Sequence, residues 1–174
     1  MEAQTKTYKL AWVRPATFRL LMQYMYRHSL PGLYTSPTSP YPDGFDPKRY
    51  SEEEINSANG ELSAEMVNLA NLWFLADYFL IRRLQNLVLE HLERASVRFG
   101  WILCPADVWN AGRMDRCNLL WKYTMDNFAW YARFKDYEDT LLTDTPKIVL
   151  VDLMVATQEN KEAPKLENYL VKED

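Results

Sequence analysis

The sequence is poor in the residues that most active-site chemistry needs. Its 174 residues include 5 glycines, 2 cysteines and 2 histidines. So few glycines form no Gly-rich run, which argues against a phosphate-cradling loop of the P-loop or dinucleotide type. Cys104 and Cys117 are too few for a disulfide scaffold and fit a reducing compartment. Together with His28 and His91 they match no zinc-ligand spacing. Long apolar runs are missing too. Stretches such as Leu72–Ala76 and Ile148–Val151 fall far short of the ~20 residues of a membrane-spanning helix. The first ten residues carry Glu2, Lys6 and Lys9 and lack the apolar core of a secretory signal. A cytoplasmic or nuclear protein, not in a membrane, is the expectation.

What is present reads as a packed domain. Hydrophobic residues at 48% and charged residues at 25% exclude a disordered chain, and the length suits one domain. Aromatics are abundant, with 6 Trp, 11 Tyr and 7 Phe, which favours a packed interaction domain over an enzyme. The net charge of −4 is uneven: residues 2–27 carry Lys6, Lys9, Arg14, Arg19 and Arg27 against Glu2 alone. These cations are spaced singly, as on the wet face of a helix, so nucleic-acid binding is not expected.

Apolar spacing predicts a nearly all-helical chain with at most a trace of strand at Thr7–Leu10. Pro15 suits a first helical turn, and Phe18, Leu21, Met22 and Met25 form a stripe in a helix ending near His28. Five of nine prolines fall between residues 31 and 47, where no regular helix can continue. Ser36-Pro37 and Ser39-Pro40 in that loop would suit a proline-directed kinase. Ser51 with Glu54 is a capping box for a short helix. Further helices are predicted over Ser63–Tyr78, from Ile81 to about Gly100, over Asp115–Phe134, and from Pro146, with a short turn at Pro105–Ala111. Residues 159–174 are mostly polar and predict a frayed tail.

The candidates for chemistry are weak. Cys104, beside Trp101, Ile102 and Leu103, reads as a small buried hydrophobe, and His91 as a hydrogen-bonded residue next to an apolar stripe. No Gly-x-Ser-x-Gly elbow is present. Asp77, Asp126 and Asp152 sit within or at the end of apolar helices and read as braces of neighbouring helix ends. On the Asp115–Phe134 helix, Trp121, Tyr123, Phe128, Trp130 and Tyr131 read as core, with a partner surface as the rival reading. No catalytic residue, metal or cofactor is assigned.

The order of segments resembles a known family. Phe18-Arg19-Leu20-Leu21-Met22-Gln23-Tyr24-Met25-Tyr26 is similar to the BTB/POZ helix that leads into an aromatic-Tyr-Thr-Gly turn. Leu69-Ala70-Asn71-Leu72-Trp73-Phe74-Leu75-Ala76-Asp77-Tyr78 resembles its leucine-rich helix ending in Leu-Ala-Asp. Ile81-Arg82-Arg83-Leu84-Gln85-Asn86-Leu87-Val88 resembles the helix after it. Met125-Asp126-Asn127-Phe128-Ala129-Trp130 and Pro146 through Val151-Asp152-Leu153 resemble the helical extension of fungal BTB proteins.

The resemblance implies the C-terminal half of a BTB/POZ domain over residues 6–95, with a Pro-rich insertion at 31–60. A helical extension over 96–158 and a polar tail over 159–174 would follow. The family's opening strands and His-Lys-x-x-Leu stretch, which form most of its homodimer face, have no counterpart here, so the usual homodimer is not expected. The implied function is non-enzymatic protein–protein interaction, with a cullin scaffold as one partner class and substrate adaptor as one role. Tyr24, Tyr26, Arg27 and His28 would lie near a partner surface. The rival readings are a small enzyme with an unrecognised site and a truncated product without independent function.

Overall fold

The computed structural model describes residues 10, 12–30, 51–99, 102–110, 118–131, 145–159 and 162–173. The expected strand at 7–9, the Pro-rich loop with its two Ser-Pro pairs, and Cys117 lie outside them. Among the described residues there are six α-helices and one 3-10 turn, and no strand.

Helix α1 (Pro15–Arg27) begins where Arg14 is still extended and Pro15 supplies a preset φ. Its buried face is Thr17, Leu21 and Tyr24. That corrects the predicted stripe: Phe18 and Met25 are 44% and 55% exposed. The face is turned by about one residue because the Tyr24 ring, not a methionine, enters the core.

The short helix at Ser51 and the helix from Ser63 are one continuous helix, α2 (Glu52–Tyr78). The capping box forms as predicted: the Glu54 N–H donates to Ser51 Oγ (3.3 Å), and the Ser51 N–H donates to Glu54 Oε2 (2.8 Å). The Ser51 N–H, and with it the Ser51 hydroxyl at 2.9 Å, donate to the Glu54 carboxylate and lower its pKa. Residues 52–60, assigned to the insertion, are therefore the first turns of α2. The polar stretch through Gly60 reads as a break, yet a single glycine is tolerated in a helix that tertiary packing holds elsewhere. A Cβ at exposed Gly60 would meet nothing within 4 Å. Gly60→Ala should therefore raise stability by about 0.5–1 kcal/mol in a urea titration, and no gain would mean that this stretch is not helical in solution.

From Leu69 to Ala76 every residue of α2 except Asn71 is buried. A helix apolar around its whole circumference must be central. Accordingly α1, α3 (Arg82–Phe99) and α4 (Pro105–Asn110) all pack on α2. On α3 the apolar spacing predicts a stripe of Ile81, Leu84, Leu87, Val88, Leu92 and Ala95; Leu84, Val88, Leu92 and Ala95 are fully buried, Ile81 and Leu87 partly, and Leu89, outside that stripe, is buried too. Helix α5 (Leu119–Tyr131) starts at Asn118, whose Oδ1 accepts the Trp121 N–H at 2.7 Å. Trp121, Tyr123 and Phe128 are core, while Trp130 and Tyr131 are half exposed. Helix α6 (Lys147–Glu159) follows Pro146 and packs on α5 through Val149, Leu153 and Ala156.

The frayed tail is the largest correction. Residues 162–173 form a strap across α3 and α5 instead. Tyr169 is buried to 3% exposure, packs edge-on against Tyr123 at 5.5 Å, and donates its hydroxyl to Asp126 Oδ2 at 2.7 Å. Asn86 accepts the Val171 N–H (2.6 Å) and donates to the Val171 carbonyl (2.8 Å). The charges of this segment mask Leu166, Tyr169, Leu170 and Val171, all of which join the core.

Candidate functional site

The expected partner residues sit at the C-terminal end of α1, and the structure separates them. Tyr24 is 6% exposed and belongs to the core, so its ring is not part of a surface. Tyr26 is 81% exposed, and Arg27 and His28 are exposed beside it. His28 takes a left-handed backbone, φ 53, and its N–H donates to the Tyr24 carbonyl at 2.7 Å. This is the α-left helix stop that glycine usually makes. The His28 ring lies edge-on to Tyr24 at 6.2 Å, which holds the unusual conformation against the core.

A second left-handed residue, Leu80, lies at the α2–α3 turn with φ 58. The Leu80 N–H donates to the Asp77 carbonyl (3.0 Å) and the Ile81 N–H to the Ala76 carbonyl (2.8 Å). Those two bonds define a Schellman stop, in which the left-handed position is normally glycine. Leucine there costs about 1–2 kcal/mol. Nothing in the core offsets this, because Leu80 is 82% exposed. Tyr78 and Phe79 beside it are also exposed and stack edge-to-face at 5.2 Å; Trp12, just before α1, meets Tyr78 at 5.9 Å. The turn is braced from α3 by Gln85, whose Nε2 donates to Asp77 Oδ1 at 3.2 Å. Asp77 thus serves the start of the next helix, as its position predicted.

Sequence reasoning separated the two helices by about three residues but gave the turn residues themselves no role. The available signal was Tyr78-Phe79-Leu80, three large apolar residues in a row where a two-helix turn wants Gly or Asn. Because Trp12 touches Tyr78, α1 starts beside the end of α2. With about 1.5 Å of rise per residue, Tyr26 lies about 20 Å from this patch.

The candidates for chemistry do not converge. His91 on α3 is buried, and desolvation, aided by the Arg94 cation, lowers its pKa to about 4. Burial raises the Cys104 thiol pKa, making it an inert hydrophobe. Tyr123 donates to Glu93 at 3.0 Å and is held far from ionising, first by burial and then by that carboxylate. A cavity lined by Met66, Leu92, Leu103, Tyr123 and Asn127 is too tight for a water molecule. Asn127 Oδ1 is buried there without a hydrogen-bond partner. Among the described residues no group of three His, Cys, Asp or Glu is placed to hold a metal, and no helix is long and apolar enough to cross a membrane. Comparison with protein-family models, curated proteins and solved structures finds no match for this chain.

Proposed function

We propose that this chain is a non-enzymatic protein–protein interaction module of the BTB/POZ type, with its α1 end as a partner surface. The observation that carries the reading is the left-handed His28. The resemblance sets Tyr26-Arg27-His28 where the family has Tyr-Thr-Gly, a departure in sequence, and α1 stops at His28 with the αL hydrogen bond that glycine would make there. The α2–α3 pair that follows packs through the leucines that carried the resemblance, Leu69, Leu72, Leu75 and Leu84. Exposed Tyr26 and Arg27 are residue types favoured as binding anchors.

Affinity purification of the intact chain from native extract tests this. A stoichiometric protein partner is expected, lost on Tyr26→Ala with Arg27→Glu while the melt is unchanged. Recovery of no such partner, or one indifferent to both substitutions, rejects the reading. A cullin among the recovered proteins would make the chain a ligase adaptor.

A further inference from the structure

We propose that the groove between α3 and α5 beneath the strap is a peptide-binding site, which residues 166–173 occupy in cis. Its ligand in trans is an extended segment of a partner protein in which a tyrosine is followed by two aliphatic residues. This site is separate from the α1 end, and the inference holds whether or not that end binds a partner.

The groove makes the contacts of peptide recognition. One carboxamide, that of Asn86, takes both main-chain groups of Val171: its Oδ1 accepts the N–H at 2.6 Å and its Nδ2 donates to the carbonyl at 2.8 Å. The N–H and C=O of one residue point the same way in extended backbone, which is how a residue pairs across an antiparallel ladder. The Arg82 guanidinium donates to the next carbonyl, that of Lys172, at 3.2 Å. These bonds do not depend on the side chain of the residue held. Main-chain contacts of this kind supply affinity, and side-chain pockets supply selectivity.

The pocket is built for tyrosine. The Tyr169 ring is buried edge-on to Tyr123, and its hydroxyl donates to Asp126 Oδ2 at 2.7 Å. Phenylalanine would fill the same space without that donor, so the pocket distinguishes the two. Leu170 and Val171 then pack against the core. The selecting groups, Asn86 and Asp126, are buried polar side chains on core helices. Apolar residues would seal a permanently covered groove as well; buried polar groups there specify what lies over it.

The strap behaves as a bound ligand. Its regular structure is the three-residue turn Leu166–Asn168, and the bonds that fix the side chain of Tyr169 and the main chain of Val171 and Lys172 come from α3 and α5. Beyond that turn the groove supplies its conformation. Tethering gives the strap an effective concentration of about 1 mM. It therefore sets a threshold, shutting out weak ligands and yielding to a segment that binds better.

The probe is a labelled synthetic peptide with the sequence of residues 162–173, titrated against the intact chain by fluorescence anisotropy. Against the parent it should bind at about millimolar concentration, set by the tethered strap. Against the full-length Tyr169→Phe chain, whose own strap lacks the bond to Asp126, it should bind at least about tenfold more tightly. The same peptide with phenylalanine for its tyrosine should lose that gain. A spin label on the peptide should broaden the Asn86 and Tyr123 NMR signals. From native extract the Tyr169→Phe chain should retain a protein that carries a tyrosine followed by two aliphatic residues, and the peptide should release it where its phenylalanine version does not. No peptide binding, equal binding by the two peptides, or signals broadened elsewhere overturns the proposal. So does recovery of no such protein, which would make the strap a permanent part of the fold, or strap exchange between two copies, seen as a dimer in sedimentation. Should Tyr169→Phe not fold, the two peptides must still differ roughly tenfold against the parent. The groove partner should persist on Tyr26→Ala with Arg27→Glu. If it does while no α1 partner is found, only the α1 reading falls; the reverse result removes only the groove.

Discussion

Tyr169→Ala is expected to destabilise the fold by about 3–5 kcal/mol in urea or thermal unfolding, the range for removing a large buried ring. The side chain makes two kinds of contact. Its ring is 3% exposed and meets Tyr123 edge-on, so truncation leaves a cavity between strap and α5. Its hydroxyl donates to the Asp126 carboxylate at 2.7 Å in a buried setting. Burial, and after it that carboxylate, drives the Tyr169 pKa well above the ordinary tyrosine value. Tyr169→Phe isolates the second contact, and a loss of about 1.5–3 kcal/mol is expected for a hydrogen bond to a charged group. Near-neutral effects of both substitutions would show that the strap is not docked in solution.

The pH dependence of stability should be the sum of two opposing slopes. His91 titrates near 6.5 when unfolded and near 4 in the fold, chiefly because burial disfavours its cation. As pH falls from 6.5 to 4, the unfolded chain takes up a proton that the native state refuses, and stability is lost. The ceiling on this loss is about 3 kcal/mol. Glu65 goes the other way. Burial, and then the Glu61 carboxylate one helical turn away, raises its pKa from 4.5 to about 7. As pH rises from 4.5 to 7, the unfolded chain ionises while native Glu65 keeps its proton, so stability is lost with rising pH. Glu65 is partly exposed, and solvent screening reduces this loss to about 1–2 kcal/mol.

The parent protein should therefore show a shallow profile between pH 4.5 and 6.5, where the slopes offset. Glu65→Gln should expose the acid-side loss alone and raise stability at pH 8. His91→Gln should leave a profile that declines with rising pH. Unfolding free energies measured by urea titration at several pH values check both. Profiles parallel to the parent would reject the assignment.

The helices were legible in the sequence wherever apolar spacing dominates. Leu84, Val88, Leu92 and Ala95 follow one stripe and are all buried. The sequence misled where residue type and environment part. Met25 counts as apolar yet faces solvent, while Thr17 is buried at 1% exposure, so the face of α1 was misplaced. Gly60 and its polar neighbours resemble a loop, but a long helix anchored by Leu62 to Ala76 passes through them. The strap was invisible because its short apolar run, Tyr169-Leu170-Val171, is bracketed by charged and polar residues and because its partners, Asn86 and Asp126, lie far away in sequence. At the end of α1 the resemblance grouped Tyr24 with Tyr26, but only tertiary packing decides that the first points in and the second out.

The strap also bears on the order of folding. Most contacts of a helical bundle are local, and such chains fold quickly. The Asn86–Val171 pairing instead closes a separation of 85 residues, and Asp126–Tyr169 one of 43. Closing those spans is entropically slow to be rewarded, so the helices are expected to assemble first and the strap to seal them afterwards. Contacts made after the rate-limiting step influence only the return journey. The strap should thus act as a brake on unfolding: Tyr169→Phe is expected to raise the unfolding rate and leave the refolding rate unchanged in stopped-flow urea jumps.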